Sequence, residues 1–176
     1  MTMIRIILVI ACSAFAFSLF AQEAPTVKIK RENKEIYRKQ DSIYNWRIHQ
    51  SRLDGRYIPK DLNDCFRELD KLMDEDTQAE FMAFSDEEVD SKTHRTLGKW
   101  IEVNWSLVEG SRLSSYFNKM RVPHYDYMIG IIIQSYHRKL HGRDIKLKEQ
   151  VLRFRAIWAK KQEEEAKKML ENGESK

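Results

Sequence analysis

The stretch Asp126-Tyr127-Met128-Ile129-Gly130-Ile131-Ile132-Ile133-Gln134-Ser135-Tyr136-His137-Arg138-Lys139-Leu140-His141 decides the fold. Met128, Ile132, Tyr136 and Leu140 recur every fourth residue, and Ile129, Ile131 and Ile133 widen that stripe until most faces are apolar. A helix of this kind belongs at the centre of a core. The β-branched run Ile131-Ile132-Ile133 also suits a strand, but the length of the segment and the closing Gly142 favour a helix.

Working outward, the neighbouring segments carry the same period. Asp61 can cap a helix whose apolar positions are Leu62, Cys65, Phe66, Leu69, Leu72 and Met73. Thr77-x-x-Glu80 and Ser85-x-x-Glu88 each set a hydroxyl three residues before a carboxylate, the pattern of a capping box, so a helix is expected to start at each. The second of these should run to about Trp105, with Val89, Leu97, Ile101 and Trp105 along one face. Gly98 inside it costs about 1 kcal/mol relative to Ala, which implies close contact with a neighbouring element. Gly110-Ser111 reads as a helix stop followed by an N-cap, and Leu113, Tyr116, Phe117 and Met120 recur before Pro123. Leu147, Val151, Phe154 and Trp158 form the stripe of a last helix whose continuation, Lys160 to Lys168, is charged all round and is expected to fray into solvent. The fold class is therefore all-α, a compact multi-helix domain.

The ends of the chain read differently. Met1 to Arg5 are followed by an uncharged run of 15 residues, Ile6 to Phe20, and by the polar Gln22-Glu23. A charged start and a short apolar run are the parts of a signal peptide. Crossing the hydrocarbon layer takes about 20 apolar residues, so a permanent anchor is not expected. Cleavage is expected after Ala21, placing the mature chain outside the cytoplasm, in the periplasm or secreted. Val9-Ile10-Ala11-Cys12 is similar to a lipoprotein box, but apolar and small residues continue past Cys12 where a polar tether would begin. Cys65 is then the only mature cysteine, read as a buried small hydrophobe. Residues 22–56 form a charged leader, helical in part, closed by the turn signal Leu53-Asp54-Gly55-Arg56; residues 57–158 are the domain, and 159–176 a solvated tail.

The formal net charge is +4 over 176 residues, a near-neutral balance that argues against a nucleic-acid partner. Its placement is uneven. Lys60 to Lys92 carries 4 basic against 12 acidic residues, and Thr93 to Leu147 carries 9 against 4. Such opposed segments can pair within one fold.

No established catalytic motif is present. His137-x-x-x-His141 has the spacing of two metal ligands, but no third ligand accompanies it and Arg138-Lys139 intervene. Both histidines are read as exposed near a helix C-terminus, where positive charge is favoured, and no cofactor or metal is expected. His94, His124 and Asp126 could supply a base and its orienting carboxylate, with Ser111 or Ser114 as nucleophile, yet no nucleophile elbow surrounds either serine. Asp126 after Pro123 suits a helix cap, with His124 in the turn. Trp100, Trp105, Tyr116 and Phe117 beside Arg112 are core aromatics, or the lining of a groove for a peptide or glycan.

Tyr57 to about Gln150 resembles an uncharacterised bacterial family, domain of unknown function 6794. The resemblance rests on Ile58-Pro59-Lys60-Asp61-Leu62, on Leu97-Gly98-x-Trp100-Ile101-x-x-Asn104-Trp105-x-Leu107, on Gly110-Ser111-Arg112-Leu113-x-x-Tyr116-Phe117, and on His124-x-Asp126-x-Met128 with Ser135-Tyr136-His137-Arg138. The family implies a discrete domain and no activity. It singles out the polar residues within those motifs and beside them, His94, Asn104, Ser111, Arg112, His124 and Asp126, as a shared binding site. Members carry Arg-Asn where this chain has Glu102-Val103 and an Asp where it has Tyr127, so a site using those positions is altered here. The functional expectation is an exported module of the cell envelope that binds a protein or peptide, with an immunity-type protein and a metal-assisted hydrolase as alternatives.

Overall fold

A computed structural model describes residues 25–173, with side chains from 33 to 170. The expected signal peptide, its cleavage point and Cys12 lie outside the described residues. The chain divides into two units, one ending at Ile43 and one beginning at Tyr44. The described part of the first unit belongs to helix α1, Pro25–Arg47, whose side chains are exposed from Asn33 to Trp46. Among the described residues, no helix is long and apolar enough to cross a membrane.

The second unit opens with a two-residue hairpin, β1 (Arg52–Leu53) against β2 (Arg56–Tyr57), antiparallel with Arg52 facing Tyr57. Asp54 and Gly55 turn it with φ of 49° and 77°, the left-handed pair that matches the twist of a tight hairpin. Helices follow: α2 (Leu62–Leu72), α3 (Glu75–Met82), α4 (Val89–Thr93), a π-helical turn over His94–Gly98, α5 (Lys99–Asn104), α6 (Arg112–Lys119), α7 (Tyr125–Leu140) and α8 (Leu147–Gly173). This is the all-α architecture read from the periodicity.

The Ile-rich stretch is helix α7, and it sits at the centre. Met128, Ile129, Ile131, Ile132, Ile133 and Tyr136 are all 0–1 % exposed, and α2, α3, α4, the π turn, α5, α6 and α8 all pack on it. Helical spacing resolves the β-branched run because a helix wrapped by neighbours can bury every face, whereas an isolated strand here would leave its backbone unpaired. Leu62, Cys65, Phe66 and Leu69 of α2 and Val151 and Phe154 of α8 close the core. Cys65 is fully buried and burial pushes its thiol well up. The charged end of α8 stays helical to Gly173 and is exposed from Ala159 through Leu170.

Several helix starts follow the sequence signals. The Asp61 side chain accepts from Asp64 N–H (2.9 Å). The Ser85 expectation is corrected: Ser85 and Glu88 bond reciprocally (Glu88 N–H to Ser85 Oγ, 3.3 Å; Ser85 N–H to Glu88 Oε2, 3.4 Å), but they close a turn over Asp86–Glu88, and the helix begins only at Val89, with no side-chain cap. Ser111 caps α6 in a box closed by the Ser114 hydroxyl, after Gly110 at φ 91°. Two further expectations are corrected. Helix α3 starts before Thr77, at Glu75, because Asp74 accepts from Thr77 N–H (2.9 Å) and a carboxylate is the stronger cap. Helix α7 is capped by His124, not Asp126: His124 Nδ1 accepts from Asp126 N–H (3.3 Å), which leaves Asp126 in the first turn.

The opposed charge segments meet. Asp86 pairs with Arg138 (2.7 Å) and Arg143 (2.8 Å), and Asp70 with Lys139 (2.7 Å), so acidic residues ahead of α4 clamp the C-terminal half of α7.

Candidate functional site

Helix α4 and the start of α7 meet at a cluster built on two glycines. A side chain at Gly98 would bring its first carbon to 2.9 Å from Ile129 Cγ2, and one at Gly130 would reach 3.0 Å from Phe154 Cζ and 3.2 Å from Asp90 Oδ2. Their bareness therefore lets α7 approach the π turn and seats the Asp90 carboxylate against α7. Asp90 is four residues before His94, one helical turn away, and its Oδ1 accepts from His94 Nδ1 (3.0 Å). The other ring nitrogen, Nε2, lies 3.5 Å from Asp126 Oδ1, and His124 Nδ1 lies 3.5 Å from Asp126 Oδ2.

Asp126 thus sits between two imidazoles, with 45 % of its side chain exposed against 31 % for His94 and 27 % for His124. Tyr125 stacks on the His124 ring (4.8 Å between centroids), and Trp158 of α8 approaches it at 5.5 Å. Tyr127 touches both His124 and Trp158. The cluster is therefore an accessible patch of two imidazoles and a carboxylate against an aromatic wall. Burial pulls the His94 imidazole towards its neutral form, but the bonds and charges of Asp90 and Asp126 outweigh it, and its pKa is held above the usual histidine value. The π turn begins at His94; such insertions into a helix often mark functional positions.

The remaining candidates do other work. Asn104 Nδ2 donates back to Trp100 O (2.9 Å), inside its own helix. Ser111 is fully buried in its cap. Arg112 lies under Tyr57, with Nε donating to Ile58 O (2.6 Å) and a terminal nitrogen 3.7 Å from Asp64 Oδ2. Arg112 therefore fastens the hairpin to α6, and no hydrogen bond or ring contact among the described residues joins it to the histidine cluster. Trp105 and Phe117 are core, and Trp100 packs edge-on against Trp105.

His137 is corrected from an exposed to a buried residue, 1 % accessible. Its Nδ1 lies 3.1 Å from Asp86 Oδ1 and its Nε2 3.0 Å from Phe84 O, so it ties the α3–α4 connection to α7; His141, 3.3 Å away across the two Nε2 atoms, is exposed. The misreading arose because the helix end was placed by period alone, whereas Phe84–Asp86 folds over that end. Among the described residues, no three His, Cys, Asp or Glu side chains are placed to hold a metal ion.

Sequence reading missed Asp90 and the Tyr125, Tyr127 and Trp158 wall. Asp90-x-x-x-His94 was the available signal for the first. The wall has no local signal, since Trp158 is brought to His124 by the packing of α8.

No curated protein and no solved structure matches the chain. Residues 58–140, just under half of the chain, match the model of the family described as Domain of unknown function (DUF6794), the family that the motifs from Ile58 to Arg138 resemble.

Proposed function

We propose that the chain is an exported, non-catalytic module of the bacterial cell envelope that binds a protein or peptide on the face carrying His94, His124 and Asp126. The convergence of these three residues from two elements, half-exposed beside Tyr125, Tyr127 and Trp158, carries the reading. Aromatic rings next to a few polar groups supply contact area and orientation together. Among the described residues no hydroxyl or thiol bonds to either imidazole, so the cluster offers recognition groups without a nucleophile. Export rests on the positively charged start and the short apolar run that follow from the sequence.

A photo-crosslinking residue at Tyr125, in cells making the full chain, tests this. The expected result is a discrete adduct in the extracytoplasmic fraction, on a chain cleaved after Ala21, and lost in Asp126→Ala and His124→Asn. Asparagine keeps the helix cap, so loss there reports recognition and not unfolding. Adducts unchanged by both substitutions, or a chain retained in the cytoplasm, overturn the proposal. The Asp90-oriented imidazole favours a second reading, a hydrolase using the same residues, because a base needs such an orienting group. Turnover of an ester, peptide or glycan panel that disappears in His94→Gln would establish it.

A further inference from the structure

His137 and His141 stand one turn apart at the C-terminal end of α7, and both face the end of α3. Their Nε2 atoms are 3.3 Å apart. Each also meets a carbonyl oxygen, His137 that of Phe84 (3.0 Å) and His141 that of Met82 (3.2 Å). Met82 is the last residue of α3, and among the described residues no backbone N–H donates to either oxygen. They belong to the orphan carbonyls that a helix leaves at its negative end. Two ring nitrogens and two carbonyl oxygens therefore share one small space.

The tautomer of His137 decides what that space lacks. Its Nδ1 lies 3.1 Å from Asp86 Oδ1, a carboxylate that can only accept, so the proton of the neutral ring sits on Nδ1. The lone pair of Nε2 then faces the Phe84 carbonyl, acceptor against acceptor. The single Nε2–H that His141 can offer answers His137 or Met82 O and leaves Phe84 O without a donor. A cation among the four atoms turns every one of these acceptors into a ligand.

Distance selects the ion. At a metal–nitrogen length of about 2.0–2.1 Å, nitrogens 3.3 Å apart subtend about 104–111°. That is a tetrahedral angle; neighbouring corners of a square plane would sit about 2.8–3.0 Å apart. Imidazole ligands in a tetrahedron are what zinc prefers. Asp86, on the far nitrogen of His137, is the orienting carboxylate found behind zinc-bound histidines. Arg138 and Arg143, which would repel a dication, are held by Asp86 (2.7 and 2.8 Å), and Glu87 brings a further negative charge to the same cavity of about 510 Å³.

We propose that His137 Nε2, His141 Nε2 and the carbonyl oxygens of Met82 and Phe84 form a zinc site, oriented by Asp86, that locks the α3–α4 connection to the end of α7. Two backbone oxygens complete the set that two side chains begin. Both histidines line the cavity, and His141 is its exposed outer wall, so the ion enters as that side chain turns. The inference stands independently of the cluster of His94 and His124.

Titration of the full chain with Zn²⁺, and with Co²⁺ as a surrogate whose visible absorption is strong in a tetrahedral site and weak in an octahedral one, tests it. The expected result is one ion per chain and the strong tetrahedral spectrum. His141→Asn, at an exposed side chain and so compatible with folding, should abolish both. Asp86→Asn should weaken binding about 10–100-fold, as loss of an orienting partner does. The proposal is overturned if the chain takes up no zinc, if cobalt stays octahedral, or if His141→Asn binds like the parent. In the first case Phe84 O is answered by a second proton on His137 only; in the others the ion is held elsewhere.

Discussion

At the scale of single residues, His94 joins the geometry of the cluster to a measurable quantity. Its pKa is raised because Asp90 and Asp126 favour the charged ring more than burial disfavours it. A histidine raised on folding adds stability that is complete below its unfolded value near 6.5 and fades as pH climbs through the higher folded value. An NMR titration should therefore place His94 above the usual histidine midpoint, with Asp90→Asn moving it down. Gly130→Ala should do the same without replacing a titrating group, because its new methyl would press on Asp90 Oδ2 at 3.2 Å. A midpoint unmoved by both substitutions would show that Asp90 does not orient this ring.

Single elements are held by caps and close contacts. Ser111 and Ser114 close a box at the buried start of α6, so Ser111→Ala should destabilise the fold by about 1–2 kcal/mol in urea unfolding, the range for losing a side-chain cap. Gly98 has an ordinary helical φ of −60°. On propensity alone, Gly98→Ala would stabilise by about 1 kcal/mol. The 2.9 Å approach to Ile129 Cγ2 reverses that sign, since forcing a methyl into a packed contact costs about 1–3 kcal/mol. A net loss of stability is expected, and a gain would mean that α7 moves away freely. Both glycines were visible in the sequence, but only Gly98 invited a packing explanation, since Gly130 was lost within an apolar run. The exchange of roles between Asp126 and His124 has a similar cause: two residues of offset in a helix start is finer than local pattern can decide, yet it determines which side chain is released into the site.

Across the whole molecule, the Asp86 carboxylate gathers Arg138, Arg143 and His137, joining a loop to a helix more than fifty positions later in the chain. Burial would raise its pKa, but the two guanidinium groups and the imidazole hold it below the usual aspartate value. Asp64 is lowered likewise, burial being outweighed by the bonds from Lys60 N–H, Tyr57 and Arg67. Carboxylates depressed on folding add stability that is present above about 3.9 and is lost as pH falls through their lower folded values. Asp86→Asn should remove this acid-sensitive share and lower stability by about 1–3 kcal/mol at neutral pH, the cost of stranding its partners. Unfolding curves at neutral and acid pH check it, and an Asp86→Asn chain as stable as the parent at neutral pH would show the hub to be idle.

The helical fold, the central place of Asp126 to His141 and the helix caps at Asp61 and Ser111 were determined by the sequence by itself, because period and capping are properties of neighbours along the chain. Mutual pairing of the acidic and basic segments was legible as a possibility for the same reason. Which polar residues share a site was decided only by tertiary packing. Asn104, Ser111 and Arg112 read much like His94, His124 and Asp126 in one dimension. They separate once Gly98 and Gly130 let α7 close on the π turn and α8 carries Trp158 to His124, since contacts between distant segments depend on packed volume, which no local pattern encodes.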